Sequence, residues 1–186
     1  ENKYLYTFLG NGDCTFDVLT TDIFTYPLGS ITVNDFNNDG CDDLLIGEGC
    51  GDYGGAPPME RDIVHLFEGN GDGSFTEIDT LHMKNIWVTS GDLNDDGNTD
   101  LVTSGSESGD DAVLVKLGNG DFTFQGTESY EIPSRILHTV QILGDMNLDG
   151  NVDIGAISGG FDKVSILYGN GDGTFQPAVV VAEHSA

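Results

Sequence analysis

Basic residues are scarce in this sequence: Lys and Arg number 6 against 32 Asp and Glu, a formal net charge of −26 over 186 residues. A field of that sign repels phosphate backbones and anionic headgroups, so nucleic acid is excluded as an expected partner and an anionic membrane surface is disfavoured. Long apolar runs are missing. No stretch approaches the ~18 residues a spanning helix needs, so the chain is not expected to span a membrane. Cysteine is sparse, with only Cys14, Cys41 and Cys50 and no Cys-x-x-Cys pair. A thiolate zinc site is therefore unsupported, and at most one internal disulfide can form. No Asn-x-Ser/Thr sequon occurs, so N-glycosylation is not expected. No segment sustains a 3.6-residue hydrophobic period, so no helix is predicted. The chain starts at Glu1 with no visible leader, as a mature or trimmed product would.

What is abundant is glycine, with 27 residues, and acid. The acids cluster with Asn and Gly in short runs, which is turn and ligand chemistry. Ten Phe and six Tyr supply core bulk and exclude a wholly disordered chain. Self-comparison finds one signature, Asp-x-Asn-x-Asp-Gly-x-x-Asp, at Asp35–Asp43, Asp92–Asp100 and Asp145–Asp153. A second, Gly-Asn-Gly-Asp-x-x-Phe, occurs at Gly10–Phe16, Gly69–Phe75, Gly118–Phe124 and Gly169–Phe175. The two alternate, so the unit is a repeat of roughly fifty residues.

Short β-branched runs flank the signatures, such as Leu44-Leu45-Ile46, Ile63–Phe67 and Ala112–Val115. They are bounded by Gly, Asn and Asp and read as strands. Each unit is strand, Asp-rich loop, strand, variable loop, strand, Gly-Asn-Gly-Asp turn, strand. Four antiparallel strands per repeat describe a blade of an all-β propeller. The predicted blades are 30–81, 86–130 and 136–182, and residues 4–20 supply the last two strands of a preceding blade. About three and a half blades form an arc of a larger ring. Its end faces are expected to be covered by further repeats or another copy.

The Asp-rich loop has the plan of a calcium cage. Ca²⁺ takes about 6–8 oxygens in a flexible shell. Side chains at positions 1, 3, 5 and 9 converge if the chain turns sharply, and Gly at position 6 permits the turn. The position-7 residue supplies a carbonyl, so its side chain is free to vary. The expected ligands are Asp35, Asn37, Asp39, Cys41 and Asp43 for one ion. Asp92, Asn94, Asp96, Asn98 and Asp100 serve a second, and Asp145, Asn147, Asp149, Asn151 and Asp153 a third. An EF-hand would need Glu at position 12 and flanking helices; Ile46, Thr103 and Ala156 stand there between strands. Simple Asn/Asp/Gly turns are the competing reading, weakened by three in-phase copies.

These loops, followed by Leu-Leu-Ile or Asp-Leu-Val and by Leu167–Phe175, resemble FG-GAP/VCBS repeats over nearly the whole chain. The resemblance is to the β-propeller of integrin α subunits and to extracellular lectins and enzyme-associated modules. It implies calcium in the loop between the first and second strands of each blade. Cys14 and Phe122 depart from the second signature, standing where Gly73 and Gly173 do elsewhere. That leaves the conformation of those two turns open.

Other chemistries find little support. Gly-Asn-Gly-Asp-Gly lacks the Lys-Ser/Thr of a phosphate loop. His65, His82, His138 and His184 stand at unrelated repeat positions, and no nucleophile-elbow or zinc-protease motif occurs. Glu107, Asp110 and Asp111 read as solvated acids of a variable loop. Trp87 reads as packing, with sugar stacking as its alternative. The longest variable loop, Gly47–Asp62, carries Tyr53, Pro57, Pro58, Met59 and Arg61 and is the best recognition surface, against the alternative of a neutral insertion. A Cys14–Cys41 disulfide is preferred over Cys41–Cys50, since both turns fall on one rim. The expected function is non-catalytic: a calcium-binding, secreted or cell-surface module for cell adhesion or carbohydrate-binding, with a carbohydrate or extracellular protein as partner. An accessory domain of a secreted carbohydrate-active enzyme and a structural spacer of an adhesin or filament are the alternatives.

Overall fold

The chain forms fourteen strands among the described residues of a computed structural model. Those residues are 3–24, 28–48, 63–83, 87–105, 112–133, 140–157 and 163–183. No helix occurs among them, and hence none long and apolar enough to cross a membrane.

β1 (Lys3–Gly10) and β2 (Phe16–Phe24) form a two-stranded antiparallel sheet. β3 (Leu28–Asn34), β4 (Asp43–Glu48), β5 (Ile63–Gly69) and β6 (Phe75–His82) form the first four-stranded sheet, in sequence order. The second contains β7 (Val88–Gly91), β8 (Asp100–Gly105), β9 (Ala112–Lys116) and β10 (Glu128–Glu131). The third contains β11 (Val140–Gly144), β12 (Asp153–Ile157), β13 (Lys163–Leu167) and β14 (Val179–Glu183). Successive four-stranded meanders are the blades of a propeller, so the all-β propeller reading holds. Two compact units divide the chain: Glu1–Val33 with Gly40–Ile86, and Asn34–Asp39 with Trp87–Ala186.

In the second unit the core lies between the second and third sheets. Val102, Val113 and Val115 meet Ile154, Ala156, Leu167 and Phe175, all buried. Tyr130 stacks edge-on against Phe175 at 5.5 Å and accepts the Phe175 N–H at its hydroxyl, 3.3 Å away. In the first unit Leu44, Ile46 and Phe67 form a smaller cluster onto which Leu5 of β1 packs. The second strands of the second and third sheets are buried on both faces: every residue of β8 except Gly105 and every residue of β12 except Ile157 is buried, whereas β5 alternates.

All four Gly-Asn-Gly-Asp turns adopt one conformation. The Asn11, Asn70, Asn119 and Asn170 amides each donate to the carbonyl four residues on, at 2.9–3.0 Å. The Asp13, Asp72, Asp121 and Asp172 carboxylates each accept the hydroxyl and the amide of the Ser or Thr two residues on. Those hydroxyls, more than the amides, hold all four carboxyls below the usual aspartate range. Cys14 at φ 69° and Phe122 at φ 63° keep the left-handed conformation of Gly73 and Gly173. The turn is therefore held by its Asp, at a cost of roughly 1–2 kcal/mol where a side chain replaces glycine.

The expected Cys14–Cys41 disulfide does not form, because Cys14 is an exposed free thiol. The Cys41 side chain is turned instead onto its own sheet's hairpin, where a Cβ on Gly71 would stand 3.3 Å from its Sγ. Cys50, most of the Gly47–Asp62 loop, and Glu107, Asp110 and Asp111 lie outside the described residues.

Ile154→Ala should cost about 2–5 kcal/mol in urea denaturation, because Ile154 is sealed between two sheets. Ile142→Ala should cost under about 1 kcal/mol, because that side chain is 54% exposed on the third sheet's outer face. Equal losses at the two positions would contradict the placement of this core.

Candidate functional site

Each Asp-rich loop joins the first two strands of a four-stranded sheet, and two carboxylates shape it. The position-1 carboxylate folds the loop over itself. Asp92 Oδ1 accepts the Asp96 amide at 3.3 Å, and its Oδ2 accepts the Gly97 amide at 2.9 Å. Asp145 does the same for Asp149 and Gly150 at 3.1 and 3.0 Å. Asp35 Oδ1 accepts the Asp39 amide at 3.3 Å. The position-3 amide then reaches the position-5 carboxylate: Asn37 to Asp39, Asn94 to Asp96 and Asn147 to Asp149, at 2.8–2.9 Å. Position 4 is left-handed in every copy, with φ 61° at Asn38, 59° at Asp95 and 64° at Leu148, as is Gly at position 6. Asn and Asp tolerate that region; Leu148 does not, and its side chain is 89% exposed.

The position-9 carboxylate has a different task. Asp43, Asp100 and Asp153 are fully buried. Asp100 Oδ2 accepts the Leu93 amide of position 2 at 2.8 Å, and its Oδ1 accepts the Gly118 amide, also at 2.8 Å. Asp153 accepts the Met146 and Gly169 amides at 2.8 and 2.9 Å. Asp43 accepts the Gly69 amide at 2.9 Å. The ninth Asp thus clasps the first signature to the first glycine of the second.

That glycine is obligate. A Cβ on Gly69, Gly118 or Gly169 would collide with the backbone carbonyl of Asp42, Thr99 or Val152 at position 8. The position-7 side chain also takes part: Asn98 and Asn151 cover the third residue of the same hairpin, Gly120 and Gly171. Sequence reasoning placed the ninth Asp only as a ligand and missed the clasp. The signal was available in the apolar residue at position 2 of every loop, Phe36, Leu93 and Met146. Phe36 and Leu93 are buried, which carries the position-2 amide under the sheet edge.

Burial raises the Asp100 carboxyl above the usual aspartate range. The Gly118 and Leu93 amides oppose this, and the Asp96 and Asp92 charges add to it. The buried charge therefore weighs against folding above its raised pKa, and the penalty fades as the pH falls through that value. Among the described residues, no group of three or more His, Cys, Asp or Glu side chains is arranged to hold a metal ion. The donor chemistry still suits a hard cation. Positions 1, 3 and 5 offer only Asp and Asn oxygens, position 7 a carbonyl, and no nitrogen or sulfur ligand is required.

The first loop's Asp35–Asp39 half belongs to the second unit. Asn38 donates to Asn98 Oδ1 at 2.7 Å, Thr99 donates to the Asp35 carbonyl at 2.8 Å, and the Phe122 amide donates to the Phe36 carbonyl at 3.1 Å. Other candidates resolve differently. His65 pairs with Glu77 at 2.6 Å across β5 and β6. Trp87 is 46% exposed, so packing does not account for its whole side chain.

The family model described as FG-GAP-like repeat matches residues 35–103 and again residues 92–156. The matches start at Asp35 and Asp92, the first residues of the first two Asp-rich loops.

In chelator, Asp100→Asn should lower stability by about 1–3 kcal/mol, since an amide offers one acceptor to two buried N–H groups. Asp96→Ala, at an exposed position, should change it by less than about 0.5 kcal/mol. Chemical denaturation of both variants checks this. A loss for Asp96→Ala as large as that for Asp100→Asn would contradict the division of labour between positions 5 and 9.

Proposed function

The chain belongs to the FG-GAP-like repeat family, and on that premise we propose that it is a calcium-binding propeller module that acts by recognition, without chemistry of its own. One observation carries the reading. An oxygen-only donor set recurs three times in one loop conformation, in a chain of net charge −26. Asp35, Asn37 and Asp39 open the first set, Asp92, Asn94 and Asp96 the second, and Asp145, Asn147 and Asp149 the third. The carbonyls of Cys41, Asn98 and Asn151 add to them. Asp43, Asp100 and Asp153 complete the sets while keeping their clasp, since each carboxylate oxygen has a second lone pair. Bound calcium supplies a doubly positive charge that offsets the mutual repulsion of these acids. The protein's part is to hold position 1 by its own amides and position 9 by the sheet.

The module works outside the cell or at its surface, where calcium is abundant and variable loops on a rigid scaffold meet a carbohydrate or protein partner. The half-exposed Trp87 and the Gly47–Asp62 loop are the surfaces offered.

Calorimetric titration should show three calcium ions per chain. Calcium at about 100 times its dissociation constant should stabilise by ~2.7 kcal/mol per site, read as a fall in Tm on chelation. Asp96→Ala should weaken the second site and spare the other two. Absence of uptake, or unchanged occupancy of all three sites in Asp96→Ala at limiting calcium, would overturn the assignment.

Arrays of glycans and of extracellular proteins should return a ligand whose binding falls when residues 49–62 are replaced by a short Gly-Ser link. Silence on both arrays would remove the recognition reading and leave the calcium reading standing.

A further inference from the structure

The second blade holds the first Asp-rich loop from outside. Thr99 stands at position 8 of the second loop, yet its hydroxyl leaves that loop and donates to the Asp35 carbonyl, at position 1 of the first, across 2.8 Å in a half-buried setting. The Phe122 amide, in the hairpin of the second blade, donates to the next carbonyl, that of Phe36, at 3.1 Å. The Phe36 ring is buried and meets the Phe124 ring edge-on at 6.5 Å. Asn38, at position 4, donates to Asn98 Oδ1 at 2.7 Å. A Cβ on Gly120 would collide with both of those amide groups, so that glycine makes room for the pair. All the braced residues lie in Asn34–Asp39, the stretch that groups with the second compact unit.

The second loop has no equivalent brace. Val152 stands at position 8 of the third loop and has no hydroxyl to offer the Asp92 carbonyl. Among the described residues the Gly173 amide makes no bond to the Leu93 carbonyl, and Asp95 makes none to Asn151. The difference bears on the first donor set because Asp35 is its base: one carboxylate oxygen, Oδ1, accepts the Asn37 and Asp39 amides, each at 3.3 Å. Fixing the Asp35 and Phe36 carbonyls fixes the backbone from which that carboxylate gathers the loop. A loop held in this way before its ligand arrives loses less freedom on binding.

We propose, on the calcium reading above, that Thr99 is a positioning residue for the first calcium site and not for the second, in whose loop it stands. Its hydroxyl, with the Phe122 amide, sets the Asp35–Asp39 half of the first loop. The second loop does not need that hydroxyl. Position 8 meets its own hairpin through its carbonyl, and Val152 does this against Gly169 as Thr99 does against Gly118. Thr99→Val therefore removes the donor to the Asp35 carbonyl at nearly the same shape, with a residue that position 8 already accepts.

Amide NMR on the whole chain tests this, first in chelator and then during calcium titration, with Gly40, Gly97 and Gly150 reporting the three loops. In chelator, Thr99→Val should speed exchange of the Asp39 amide about three- to tenfold, the effect of losing one hydrogen bond, and leave the equivalent Asp96 and Asp149 amides unchanged. On titration it should raise the dissociation constant at the first loop by a similar factor and leave the second and third unchanged. Thr99→Ser keeps the hydroxyl and should restore both. The Gly118 amide, held by Asp100, reports whether the second loop is folded in each variant. Unchanged Asp39 exchange in chelator, a loss at the second site as large as at the first, or Thr99→Ser behaving as Thr99→Val would each overturn the assignment. Uptake at all three loops that Thr99→Val leaves unaltered would overturn the positioning role alone. No uptake at any loop, even with faster Asp39 exchange in chelator, would overturn the calcium reading together with it.

Discussion

A carboxylate sunk beneath the sheet edge, with backbone N–H groups aimed at it, ties each blade together. Asp100 joins Leu93, at the start of the loop, to Gly118, on the far side of the variable connection. Asp153 repeats the arrangement. The glycines reached lie 26, 18 and 16 residues beyond Asp43, Asp100 and Asp153. The contact stays the same while the intervening chain changes length. Loop closure entropy grows only slowly with length, so an insertion costs little once the clasp is fixed. The variable loops can therefore differ without disturbing the strands that carry them.

The residue type follows from satisfaction. Two N–H groups that lose water need two acceptors, and a carboxylate has them; an amide or a hydroxyl would leave one donor facing a donor or empty space. The cost is a buried charge, visible in the raised Asp100 carboxyl. Glycine pays the steric side of the same arrangement, since only a missing Cβ lets the hairpin backbone approach the position-8 carbonyl.

With the ninth Asp occupied inside, the Asp, Asn and Asp side chains of positions 1, 3 and 5 sit on a loop already shaped by its own amides. Ordering such a loop in advance lowers the entropy lost when a ligand binds. Leu148 marks the constraint from the opposite side. A branched apolar residue is held left-handed and in solvent, so the surrounding hydrogen bonds, and not its own preference, set the backbone there.

Strand identity, the repeat and the four-stranded unit were legible in the sequence, because period, turn residues and signature spacing are local and occur in multiple copies. Asp13, Asp72, Asp121 and Asp172 dictate their hairpins locally, strongly enough to carry Cys14 and Phe122 into the glycine conformation. Two matters were decided only by tertiary structure. The ninth Asp looked equivalent to the first, third and fifth, and only packing of the hairpin against the loop turned it inward to the Gly118 or Gly169 amide. Cys14 and Cys41 looked ready to pair, and only the approach of the Cys41 side chain to Gly71 directed it elsewhere. Spacing along a chain fixes which groups can converge, but the direction each side chain takes depends on what the distant strands bring beside it.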